Sequence, residues 1–209
     1  MEFLLAIGIW CALAWLVVRR GSIDALIRGL VGAVVATLVN SGVHAAGVPM
    51  LAMLLIVGPF VEESSRIAAA RKDRDWSLAY ALTFAAGFTG FELFVKLTRR
   101  LSGQSWDDVM RIVAAGTRGV VLHILCTLIL AYTINRSRDR LRSWPIAAGL
   151  ALTLPLHSYF NHLVNASSTS AFFAARPGTG SAWPWIAFIL VMAASLIALS
   201  PHRVGWKWR

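Results

Sequence analysis

The sequence predicts an all-α fold, a polytopic membrane helix bundle of about seven transmembrane helices, and three observations predict it. Hydrophobic residues make up 57% of the 209-residue chain, and mean hydropathy is +0.66. Only 14% of residues are charged, where a soluble domain carries about a quarter. The apolar residues gather into runs of about 20, the length that crosses a bilayer as a helix, with short basic clusters between them. The formal net charge of +10 does not point to nucleic acid. Its Lys and Arg residues sit between apolar runs, and no basic stretch is interleaved with the aromatic residues that would stack on bases.

The first run, 2–18, has its charge behind it at Arg19 and Arg20 and is followed by no small-residue cleavage site. It reads as a retained helix, not a signal peptide. The second run, 29–47, and the third, 48–70, meet in a tight hairpin around Gly47, Val48 and Pro49. A fourth spans 76–97. The segment "SGQSWDDVMR", 102–111, reads as a short interfacial helix ahead of the fifth run, 112–134. The sixth covers 144–165, and a loop of small and polar residues, 165–183, leads to the seventh, 183–200. Trp183, Trp185, Trp206 and Trp208 flank that last run as interfacial anchors do. No repeat or linker divides the chain, so 1–209 reads as one integral membrane domain with a motif-bearing core at about 48–165. Cys11 and Cys126 lie in apolar runs without CxxC spacing and read as small buried hydrophobes.

Orientation follows from Lys and Arg. Arg19, Arg20, Arg28, Arg71, Lys72, Arg74, Arg136, Arg138, Arg140, Arg142, Arg203, Lys207 and Arg209 fall on one side. The other side holds Lys96, Arg99, Arg100, Arg111 and Arg176, offset by Asp107 and Asp108. The richer side is expected in the cytoplasm, which places the N-terminus outside and the C-terminus inside.

The stretch "IVGPFVEESSRIAAA", 56–70, puts Glu62, Glu63 and Arg66 inside a run otherwise ready for lipid. A charge at bilayer depth costs roughly 2.5–3.5 kcal/mol on insertion scales, so such residues mark a functional site by default. At 1.5 Å per residue, His123 and His157 fall near the middle of the fifth and sixth runs, close to the level of the two glutamates. Glu92 and Arg118 fall in the outer part of the fourth and fifth. Each group also has a structural reading. Glu62 and Arg66 are spaced i,i+4 and pair well on a helix; Glu92 has Lys96 or Arg118 in reach; a single histidine often only bonds a neighbouring helix. His44 and His162 read as interfacial.

The constellation asks for more. Adjacent residues point about 100° apart on a helix, so one arginine does not account for both glutamates. Pro59 removes a backbone bond one turn before them and favours a kink. His157 and Asn161, spaced i,i+4, face the same way. Carboxylates, two imidazoles and an amide suit general-base hydrolysis with an oxyanion stabiliser. They equally suit a zinc site of two histidines and one glutamate, Glu63 with His123 and His157, or a proton path. If they form one site, runs three to six converge on it and runs one, two and seven pack peripherally, with Glu92 standing apart near Arg118 or Lys96.

Four segments carry a resemblance to a known family. "PFVEESSR" (59–66) resembles the P-x-x-E-E-x-x-K/R motif of the PrsW family of intramembrane proteases. "GFTGFE" (87–92) resembles its second motif, with Phe88 and Glu92 as F-x-x-x-E. "HILCT" (123–127) resembles its histidine helix and "LHSYFN" (156–161) its last H-x-x-x-N helix. The motifs stand in family order on successive runs. PrsW belongs to a wider group with the CPBP and CAAX endopeptidases and the seven-span gamma-secretase scaffold subunit. The resemblance implies a multi-pass membrane endopeptidase, in a bacterial cytoplasmic membrane, that cuts a membrane-protein substrate near the bilayer plane. Glu62, Glu63, His123, His157 and Asn161 would be catalytic, with Arg66, Glu92 and Arg118 supporting. Arg66 stands where the family often has Lys, and Glu92 stands where CAAX endopeptidases have His. The alternatives it leaves are a non-catalytic scaffold of the same fold and a prenyl-protein endopeptidase.

Overall fold

The computed structural model describes residues 2–70, 76–100, 106–138 and 144–169. All the elements they form are helical: α1 Glu2–Arg20, α2 Ile23–Ala45, α3 Met50–Ala52, a π-helical turn Met53–Val57, α4 Gly58–Ala69, α5 Leu78–Arg100, α6 Trp106–Arg138 and α7 Trp144–Thr169. Among the described residues, two helices are long and apolar enough to cross a membrane by length and composition, α2 and the Leu78–Val95 part of α5. The seventh run, its tryptophans and most of the loop before it lie outside the described residues.

Helix α2 begins on Ser22, whose hydroxyl accepts the Ala25 N–H at 3.4 Å, leaving fewer unpaired donors at its N-terminus. It ends on Gly47 at φ +92°. The Val48 N–H returns to the Val43 carbonyl and the Gly47 N–H to that of His44, the pairing that a left-handed glycine after a helix allows. The expected hairpin is therefore a glycine-terminated helix followed by Pro49 as the start of the next.

Side-chain size sorts the two faces of α2. Ala25, Gly29, Gly32, Ala33 and Ala36 are buried. Ile23, Ile27, Leu30, Val31, Val35, Leu38 and Val39 are exposed. The small face packs on α5 so closely that a Cβ on Gly29 would lie 2.1 Å from the Phe84 carbonyl oxygen, and one on Gly87 2.2 Å from that of Leu26. Helix α2 thus forms the most extensive helix pair of the fold, and the expectation that it packs peripherally is overturned. Small residues let its backbone approach, which removes the need for large ones at the seam.

The third apolar run is broken into α3, the π turn and α4: the Gly58 N–H bonds the Met53 carbonyl five residues back, and Pro59 has no N–H to give. Helix α6 is longer than expected. It runs unbroken from Trp106, absorbing most of the predicted interfacial segment. Packing proceeds from α2 to α5 to α6 to α7, with α4 lying against both α2 and α7. One core cluster joins Ala25, Ala33, Phe84, Phe88, Ala131 and Ile134; a second joins Leu122, Leu125, Cys126 and Phe160. One end of the bundle is tied by polar bonds. Asp24 takes Arg28 at 2.9 Å and the Tyr80 hydroxyl at 2.9 Å. Asn135 donates to the Trp76 carbonyl and accepts its N–H.

Candidate functional site

The polar side chains of α4, α5, α6 and α7 meet in one buried cluster. Glu63 is 0% exposed and Arg66 2%. Spaced i,i+3, they share a face, and the Arg66 guanidinium donates to Glu63 Oε1. This corrects the expected Glu62–Arg66 pair: both spacings place side chains together on a helix, and the neighbours from other helices decide between them. Arg66 also lies 4.2 Å from the centroid of the Phe88 ring, a cation–π contact inside the bundle. Its second donor meets His123 Nδ1.

That contact sets the His123 tautomer. A guanidinium only donates, so Nδ1 accepts and the proton sits on Nε2. Nε2 faces Glu92 Oε2 at 2.8 Å. Glu92, expected to stand apart near Arg118 or Lys96, is therefore a partner of His123. The side chains of Arg118 and Lys96 lie outside the described residues.

His157 joins both glutamates. Its Nδ1 is 2.9 Å from Glu63 Oε1 and its Nε2 3.3 Å from Glu62 Oε2. Carboxylates only accept, and a neutral imidazole carries one N–H. The Nδ1 contact with Glu63 is a hydrogen bond, and Nε2 stands at ion-pair distance from Glu62. The two imidazole rings stand edge to face, 5.2 Å apart.

Glu62 and Glu63 are not equivalent. Glu63 is enclosed and held from two sides, whereas the Glu62 side chain keeps 16% exposure. Glu62, His123 and His157 each offer one ligating atom, and these atoms all lie within 4.8 Å of one another. The group that could hold a metal ion thus contains Glu62 in place of the expected Glu63, whose oxygen is committed to Arg66 and His157. Among the described side chains of the cluster, three carboxylates face a single guanidinium, an excess of negative charge that a proton or a cation would offset.

Asn161 lies one turn from His157 on α7, but its amide donates to the Leu54 carbonyl at 2.9 Å. His44, next to the end of α2, and His162, within α7, are exposed. Cys11 is exposed, against expectation; Cys126 is buried. In the sequence Phe88 stands out only as a motif residue, and its role against Arg66 emerges from the fold.

Compared with protein-family models, curated proteins and solved structures, the chain matches none.

Proposed function

We propose that this chain is an integral-membrane endopeptidase that hydrolyses a peptide bond of a membrane-associated protein, with Glu62 activating the water. In this reading it crosses a bacterial cytoplasmic membrane about seven times, with the N-terminus outside and the C-terminus in the cytoplasm. The inverted pattern of α2, large apolar side chains outward and glycine and alanine inward, supports lipid as its solvent. The resemblance of the four motifs to the PrsW family supports the same class.

The observation that carries the chemistry is the division between the adjacent glutamates. Glu63 is anchored by Arg66 and orients His157. Glu62 stands on the other side of the same ring and keeps some exposure. A water in the triangle of Glu62, His157 and His123 would lie within hydrogen-bond reach of the base and of both imidazoles, His123 joining once it releases one of its two present partners. Glu62 takes a proton from it, the water oxygen adds to the scissile carbonyl carbon, and the imidazoles face the oxyanion. Glu62 then returns the proton to the leaving amine. Glu92 holds His123 in the tautomer that Arg66 selects.

The same residues fit zinc by donor type, with Glu62, His123 and His157 as the ligands. His123 would join by releasing one of its two present partners. A bound ion would polarise the water and the carbonyl.

The test is cleavage of a co-expressed single-span substrate by wild type and Glu62→Gln, together with metal analysis and chelator treatment of the purified protein. Loss of at least about 100-fold is expected for Glu62→Gln, within the range for removing a general base; wild-type cleavage overturns the proposal. A second reading, a scaffold without hydrolysis, is favoured by the engagement of both nitrogens of each imidazole, which ties four helices together. It predicts that Glu62→Gln weakens the bundle or its grip on a partner helix instead.

A further inference from the structure

The π turn stands directly before the glutamates, and its hydrogen bonds leave one carbonyl without a helical donor. The Gly58 N–H donates to the Met53 carbonyl, five residues back. It is therefore not available to Leu54, four residues back. The next N–H that a π turn would offer Leu54 belongs to residue 59, which is proline and has none. The Asn161 amide fills that gap from α7 at 2.9 Å. A carbonyl only accepts, so the donor is the Asn161 NH2, and the orientation of the carboxamide is fixed.

The π turn sets the direction in which α4 presents its glutamates. It holds one residue more than the α turn it replaces, so its collapse would rotate α4 by about 100° relative to α3. That is the angle between adjacent side chains. Val61 would take the direction of Glu62, and Glu62 that of Glu63. In a segment whose glutamates are adjacent and differently employed, a slip of one residue puts Glu62 in the anchored position and leaves Val61 in the accessible one.

We propose that Asn161 is a positioning residue: it braces the π turn through the Leu54 carbonyl and thereby fixes which glutamate faces each side of His157. Helix α7 then sets the site twice, through His157 on the carboxylates and, one turn on, through Asn161 on the backbone that presents them. The consequence for cleavage rests on the peptidase reading; the brace itself is measured without activity.

Amide hydrogen exchange over residues 53–60, in detergent, reads the brace. Asn161→Leu is expected to speed it about tenfold, as loss of a part-buried carbonyl's partner does, with α5 unchanged. Turnover of substrate falls by a similar factor while KM stays within about twofold, the pattern of an effect confined to the transition state. Pro59→Ala supplies an N–H that can close on Leu54, so in that background Asn161→Leu should change exchange by less than about twofold. A direct oxyanion donor would leave exchange untouched and would not couple to residue 59. Unchanged exchange in Asn161→Leu, or an equal increase in both backgrounds, overturns the proposal. If Asn161→Leu does not fold, recovery of folded protein by Pro59→Ala supports the brace and failure to recover contradicts it. Should Glu62→Gln cleave normally, the peptidase reading fails while the exchange result still decides the brace.

Discussion

Two regions of the bundle hold helices together by opposite means. At the α2–α5 seam the closest contacts are backbone against backbone, made by Gly29 and Gly87, and the charged bond from Asp24 to Tyr80 stands only at one end of the pair. In the α4–α6–α7 cluster the contacts are charged and directional, made by Glu63, Arg66, His123 and His157. The seam depends on what is missing from a side chain, the cluster on what is present. The first tolerates no added atom; the second tolerates no removed partner. Glu62 stands at the edge of the cluster, where, on the proposed peptidase reading, a change is expected to disturb chemistry more than folding.

The largest expected effect is at the seam. Gly29→Val places carbon where the Phe84 carbonyl already stands, 2.1 Å from the Cβ position, and both groups belong to backbone that cannot move aside. Folded protein should be lost from detergent extracts, whereas Gly42→Ala, with nothing within 4 Å of its Cβ, should accumulate normally. Comparable yields for the two would break the contrast between seam and cluster.

Within the cluster, Arg66→Met leaves Glu63 buried beside His157 without its guanidinium. Removing one member of a buried pair costs about 3–5 kcal/mol, which thermal unfolding in detergent should register. The smallest effect is at the tied end of the bundle. Tyr80→Phe removes one bond to Asp24, which also holds Arg28, and should cost about 1 kcal/mol. A loss equal to that of Arg66→Met would mean that the end layer, not the buried cluster, carries the polar stability.

Much of the site is legible in the sequence because charge in an apolar run is conspicuous. Glu62 and Glu63 on one run, and His123 and His157 on two others, stand out, and their depths counted along the sequence agree. The partners are less legible. Spacing allows Arg66 to reach either glutamate, and only Phe88 and His123, brought in by α5 and α6, select Glu63. Glu92 lies too far along α5 to join by depth alone, because depth counted from helix ends ignores tilt. The π turn is signalled by Gly58 and Pro59 as a kink, but its partner lies on α7, a hundred residues on. In the fold, α2 escapes notice because buried ionisable residues are a poor marker of a central helix. Its centrality instead comes from glycines and alanines.

The central claim is that adjacent glutamates have separate duties, Glu62 in the chemistry and Glu63 in holding Arg66 and His157. The direct measurement is to purify Glu62→Gln and Glu63→Gln side by side and record both thermal unfolding and substrate cleavage. Glu62→Gln should unfold close to wild type, within about 1 kcal/mol, and cleave at least about 100-fold more slowly. Glu63→Gln should lose several kcal/mol, on the order of a broken buried pair, together with cleavage. The reverse pattern, or equal effects of the two substitutions on both measurements, would contradict the assignment.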